Sequence, residues 1–244
     1  MRCDVVDGPG ELARRAADVV CRAVQRKPGI VLGLPSGSTP IGLYRELARR
    51  AGAGEVDFSA ATAFAIDEFL GIAKGHPATN TSYFREHLAA VPLRAVHAFD
   101  SETQDPDAEC ARFAARMQAA GGLDLLVLGI GVNGHIAFNE PGSPFDSRAR
   151  RVALQAPTRA AYAQAFGSLD DVPAFGLTLG MAELLAARAV LLLASGIDKA
   201  GIVAQALEGP ASDAVPASAL QQHSNATVLL DRPAASRLKR YAAE

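Results

Sequence analysis

The run GIGVNGHIAFNEP, residues 129–141, brings Asn133, His135 and Glu140 within eight residues of one another, directly behind the apolar stretch 123–128. A histidine moves protons near neutral pH, and a carboxylate bonded to its far nitrogen would fix its tautomer and orientation. The same residues also suit a histidine that merely hydrogen-bonds within a glycine-rich turn. Three further loops hold residues of this kind. LPSGSTP at 34–40 offers Ser36, Gly37, Ser38 and Thr39 just before Pro40, which is placed to start a helix. Unpaired N–H groups at a helix N-terminus favour an anion such as phosphate, although Ser38 or Thr39 can equally cap an ordinary turn. AIDEF at 65–69 puts Asp67 and Glu68 at the end of an apolar run. There a carboxylate can act as a base at carbon or remain a solvated ion-pair partner. SGIDKA at 195–200 places Lys199 at a predicted helix start, as a compact cation for a phosphate or as a surface lysine.

The elements that must position these loops alternate along the chain. Apolar periodicity predicts helices over 11–26, 40–50, 81–90, 107–120 and 199–208, with a last one from Pro233. Strands are predicted over 30–34, 61–66, 95–99, 123–128, 189–194 and 227–231. Runs such as VLLLA and TVLLD are apolar without alternation, as expected of a parallel sheet covered on both faces. The expected fold is α/β: a doubly wound, mostly parallel, Rossmann-like sheet with helices on both faces, forming one domain over 1–244. Segment 143–178, with Pro144, Pro157 and Pro173, has weak periodicity and is expected to add a lid-like insertion with an extra strand. In such sheets a ligand lies beyond the carboxyl ends of the strands, where all four loops fall.

Bulk properties narrow the partners. A formal charge of −2 with 20% charged residues gives no reason to expect nucleic acid or an anionic membrane, which leaves a small soluble molecule. Cys3, Cys21 and Cys110 show no CxxC spacing, and the other histidines lack metal-ligand spacing, so no metal and no disulfide framework is expected. The N-terminal residues have no apolar signal core, and no stretch approaches the roughly 18 apolar residues of a membrane helix. A cytoplasmic protein is expected.

Taken together, GLPSGSTP, AIDEFLGI, the HP and SYF of 76–84, GHIAFNEPGS, LTLG and SGIDKA resemble, in order and approximate spacing over nearly the whole chain, the glucosamine-6-phosphate deaminase family. That family belongs to a wider group with the 6-phosphogluconolactonases, which carry a different, GHTASLFP-like run at the histidine. The resemblance implies conversion of α-D-glucosamine 6-phosphate and water to D-fructose 6-phosphate and ammonia, without a cofactor. By position it implies that Asp67 is the base at C2, that His135 is the acid/base of ring opening and that Glu140 supports it. Asn133 would orient His135 or a substrate hydroxyl, and Ser36, Gly37, Ser38, Thr39 and Lys199 would hold phosphate. Monomers and homo-oligomers are both compatible with it.

Two positions depart from the resemblance. Gln164 stands where family members often carry an arginine in an ANSRFF-like run, leaving Arg159 as a candidate substitute. Ser143 and Arg150 match the basic cluster of the allosterically regulated members, but Val152 stands where a lysine would be. A sugar-phosphate lactonase and a non-catalytic sugar-phosphate sensor therefore remain alternative readings of the sequence.

Overall fold

The structure, a computed structural model, describes residues 1–239. Seven strands form one sheet: β1 (Arg2–Val6), β2 (Val31–Leu34), β3 (Thr62–Ala65), β5 (Ala95–His97), β6 (Leu125–Leu128), β9 (Val190–Ala194) and β10 (Ala226–Asp231). Their order is β1-β10-β9-β6-β2-β3-β5, and every pairing is parallel. A separate antiparallel sheet joins β4 (Asp67–Phe69), β8 (Phe175–Thr178) and β7 (Arg150–Ala153), in that order.

Parallel strands buried on both faces need apolar side chains in both directions, and the middle strands supply them. Leu125, Val127, Leu191 and Leu193 point into one core with α1 (Pro9–Arg26), α2 (Ile41–Gly52) and α3 (Asn80–His87). Leu126, Leu128, Leu192 and Ala194 point into the other, with α4 (Pro106–Ala119), α6 (Met181–Leu185), α7 (Ala200–Glu208) and α8 (Arg232–Ala235). Helix α1 shows the matching periodicity, burying Leu12, Ala16, Val20 and Val24 at four-residue intervals. No described helix is long and apolar enough to cross a membrane.

From β2 the chain winds outward to β3 and β5, then returns to β6 on the opposite side of β2 and winds away again. The crevice between the carboxyl ends of β2 and β6 is the topological switch point, where such sheets bind ligands. The PSGSTP loop leaves β2 there, and the GIGVNGH loop leaves β6.

The expected architecture holds, with local corrections. Strand β1 is not visible as a strand in the sequence pattern, because it is a short edge strand whose residues are largely half-exposed. It pairs with β10 and brings the N-terminus beside the last strand. The predicted strand 61–66 is β3, Thr62–Ala65, but no loop follows it: across Ile66 the chain enters a second strand, so Asp67 opens β4 in the other sheet. Helix 81–90 is shorter, Asn80–His87, with Thr79 as its cap accepting a bond from the Ser82 amide. Lys199 ends a 3-10 turn, Ile197–Lys199, ahead of α7. The irregular segment 143–178 folds into β7, α5 (Ala156–Phe166) and β8, so the insertion is one helix carried between two strands of the small sheet.

Candidate active site

A cavity of about 400 Å³ opens at the switch point. Its wall includes Ser36, Gly37, Ser38 and Thr39 from the β2 loop, Asp67 from β4, Gly131 and His135 from the β6 loop, Tyr162 from α5, and Lys199. Five segments of the chain thus meet on one space.

The β2 loop is held from behind by tyrosine hydroxyls. Tyr44 donates to the Pro35 carbonyl at 2.6 Å and Tyr83 donates to the Gly37 carbonyl at 2.7 Å. Neither Ser38 nor Thr39 caps α2, whose cap position is Pro40 with no side-chain bond. Their hydroxyls are therefore not spent on a turn. Lys199 reaches the same cavity, with its ammonium 2.8 Å from the Ile130 carbonyl. That bond uses one of its three N–H donors. Burial lowers the Lys199 pKa, as expected for a cation drawn out of water.

Asp67 is 6% exposed, and its Oδ1 accepts a 2.6 Å bond from Asn80 Nδ2. Burial and the neighbouring Glu68 charge push its carboxyl up to about 8, with the Asn80 bond only partly opposing them. Glu68 has a different role. Its carboxylate accepts from the amides of Phe69, Asn80 and Thr81 and from the Thr81 hydroxyl, so it fastens the start of α3 to β4. Burial raises its pKa while these four bonds oppose the rise.

The β6 loop makes a closed turn, with the Gly131 amide donating to the His135 carbonyl and the Gly134 amide to the Gly131 carbonyl. A Cβ on Gly131 would lie 2.1–2.3 Å from three atoms of the His135 ring, so the imidazole lies flat over a backbone that only glycine can supply. Gly134 has a φ of +88°.

Behind the ring lies a chain of hydrogen bonds. Asn133 Nδ2 donates to Glu140 Oε2 at 2.7 Å, since a carboxylate only accepts. Asn133 Oδ1 then faces His135 Nδ1 at 2.8 Å. Nδ1 must carry the proton, and Nε2 is left as the basic nitrogen. Glu140 Oε2 lies 3.6 Å from Nδ1, and Glu140 Oε1 accepts from the Gln155 amide at 3.0 Å. Burial pushes the Glu140 carboxyl up, but bonds from His135, Thr158, Asn133 and Gln155 outweigh it and hold it at about 2. It is ionised at neutral pH, and a proton arriving on Nε2 would find a carboxylate behind it.

Seven of the predicted residues line the cavity: Ser36, Gly37, Ser38, Thr39, Asp67, His135 and Lys199. Asn133 and Glu140 do not line it and stand behind His135. Arg159 cannot replace the missing arginine, because its Nη2 donates to the carbonyls of Leu169 and Val172, 3.0 Å away in each case. Gln164 is exposed and is not among the residues lining the cavity. Sequence reasoning missed Asn80, Thr158, Gln155 and Tyr162, each of which touches the predicted residues across long stretches of chain. Among the described residues, no cluster of His, Cys, Asp and Glu is arranged to hold a metal ion.

An imidazole and a buried carboxylate facing a loop of small hydroxyl residues at the switch point of a parallel sheet are the make-up of an enzyme site for a small molecule. The chain belongs to the glucosamine-6-phosphate isomerases/6-phosphogluconolactonase family, whose model matches residues 9–229. It is 43% identical over 242 residues to a glucosamine-6-phosphate deaminase of Pseudarthrobacter chlorophenolicus, covering 98% of this chain and 93% of that protein. A glucosamine-6-phosphate deaminase of Rhodococcus opacus is 44% identical over 244 residues, covering 97% and 94%. Among solved structures, a monomeric glucosamine-6-phosphate deaminase superimposes with a TM-score of 0.94 at 38% identity, covering 97% of this chain and all of that one. A 6-phosphogluconolactonase from Trypanosoma brucei, at 22% identity and a TM-score of 0.78, shares the fold.

Proposed function

We propose that this chain converts α-D-glucosamine 6-phosphate and water to D-fructose 6-phosphate and ammonia. The observation that carries the reading is the meeting of the Ser36, Gly37, Ser38 and Thr39 loop, Lys199, Asp67 and His135 on one cavity. The phosphate binds against the loop and Lys199, does no chemistry, and holds C1 and C2 against the proton-transfer groups. His135 Nε2 takes the proton of the C1 hydroxyl and returns one to the ring oxygen, opening the pyranose. The aldehyde acidifies C2, and Asp67 removes its proton to give an enolamine. Reprotonation at C1 yields the imine of the 2-ketose, and addition of water to C2 expels ammonia.

Asp67 must be ionised to act, yet its burial and the Glu68 charge favour the protonated form. The substrate's ammonium at C2 supplies the opposite charge that stabilises the carboxylate, so binding prepares the base. Glu140 and Asn133 act through His135 by fixing its tautomer. Residues 1–244 are read as one sugar-phosphate isomerase/deaminase domain, a reading supported by a single sheet that pairs the first strand with the last. A charged sugar phosphate does not cross a membrane unaided, which supports reading the protein as cytoplasmic.

The test is a coupled assay in which purified protein releases ammonia and fructose 6-phosphate from glucosamine 6-phosphate, and Asp67→Asn and His135→Asn each lose turnover. Hydrolysis of 6-phosphogluconolactone without ammonia release, or binding without turnover, would replace this reading.

A further inference from the structure

Helix α5 borders the cavity, and of its side chains only Ala161, Tyr162 and Ala165 line the wall. Tyr162 alone among them is polar. It lines the same wall as Ser36 of the β2 loop. The ring is set from behind by an edge contact with Phe69 at 5.0 Å, and Phe138 lies 6.3 Å away. Phe69 belongs to β4, two residues from Asp67, so the phenol is anchored to the same strand as the base.

The charged and amide side chains of α5 are absent from this space. Gln164 points to solvent and Arg159 is bound to the carbonyls of Leu169 and Val172. Among the described residues, Lys199 is the single lysine or arginine lining the cavity. A phosphate dianion there meets one ammonium and otherwise depends on neutral donors. Burial raises the Tyr162 pKa, so its O–H keeps its proton and remains a donor.

We infer that Tyr162 is a substrate-binding residue, donating its phenolic hydrogen to the phosphate of the bound sugar beside Ser36, as the contribution of α5 to the anion site. The inference rests on the reading that this cavity takes a 6-phosphosugar. It makes Tyr162 responsible for affinity toward the phosphorylated sugar, not for proton transfer, which belongs to His135 and Asp67. A hydrogen bond to a charged group corresponds to about ten- to a hundredfold in affinity.

Fructose 6-phosphate is the probe, titrated calorimetrically into wild type, Tyr162→Phe, Gln164→Ala and Gln164→Arg, with kcat and KM measured in parallel. Phenylalanine preserves the contact with Phe69 and removes only the hydroxyl. Tyr162→Phe is expected to weaken fructose 6-phosphate binding and raise KM at least tenfold, with kcat within threefold of wild type. Both Gln164 variants are expected within twofold throughout. Binding by Tyr162→Phe within twofold of wild type, or a loss confined to kcat, overturns the inference. Tightening of tenfold or more by Gln164→Arg also overturns it, and this arm decides alone if the Tyr162→Phe protein does not fold. Because the probe is bound and not turned over, wild type that binds it without releasing ammonia from the amino sugar would fail the functional reading and leave this result standing on its own.

Discussion

The buried carboxyl of Asp67 makes a stability prediction that can be worked through. Its pKa is 3.8 in an unfolded chain and about 8 in the folded one. Between these values the folded protein retains a proton that the unfolded chain has released, so stability present at low pH is lost as pH rises, by about 1.4 kcal/mol per unit. From 3.8 to pH 7 is about three units, or about 4 kcal/mol, and the loss is complete just above pH 8. Asparagine in Asp67→Asn has nearly the same shape, can still pair with the Asn80 side chain and carries no charge to bury. For a chain of this size the difference corresponds to about 10 °C in melting temperature. Thermal unfolding of both proteins from pH 4 to pH 9 is the assay. The two should melt together near pH 4, separate progressively with the variant higher, and keep a constant gap above about pH 8. A variant that melts level with wild type or below it at pH 8 refutes the argument that the site holds its base against a desolvation cost, even if turnover is lost as expected.

Other outcomes follow from the same geometry. In the free enzyme kcat/KM should rise about tenfold per pH unit below about 8 as Asp67 ionises, while the corresponding limb of kcat lies at lower pH because the substrate's ammonium favours the carboxylate. A flat kcat/KM profile between pH 5.5 and 7.5 would contradict this. Gly131→Ala should fold yet lose at least about a hundredfold in kcat, since its Cβ occupies the space of the imidazole. Retained turnover in that variant would show that the ring works from another position. N-acetylglucosamine 6-phosphate should leave a hyperbolic velocity curve unchanged. Arg150 is engaged by Asn139 and Ser143, and Val152 packs against the apolar cluster around Phe69 and Phe138. A sigmoidal curve made hyperbolic by that ligand would overturn this.

What the sequence made legible follows the range of the forces involved. Strands β6, β9 and β10 are continuous apolar runs, so their ends, and the loops holding His135 and Lys199, could be located from composition alone. Asp67 was found as a residue, but its setting was not, because the break at Ile66 between two sheets leaves no mark in the run ATAFAIDEF. Helix α5 has almost no apolar stripe, and its inner face is defined only by packing on Phe69 and Phe138. Its contributions through Thr158 and Tyr162 were therefore invisible. Asn80 lies just ahead of the predicted helix 81–90 and carries no local signal, since its bond to Asp67 spans thirteen residues and two elements. Asn133 was read as an orienting amide, and its bonds to both His135 and Glu140 give that reading a geometry.

The division of the chain at Ile66 has a consequence for how this enzyme would fail. Asp67 and α5 are carried by a small sheet whose three strands are short, whereas His135, the anion loop and Lys199 are rooted in seven parallel strands. Local opening draws first on the segments with the fewest buried contacts. Fraying of β4, β7 and β8 would take the base away from the sugar while leaving the large core intact. Mild heat or denaturant would then give a folded protein that holds an anion more weakly, through the β2 loop and Lys199 alone, and no longer turns it over.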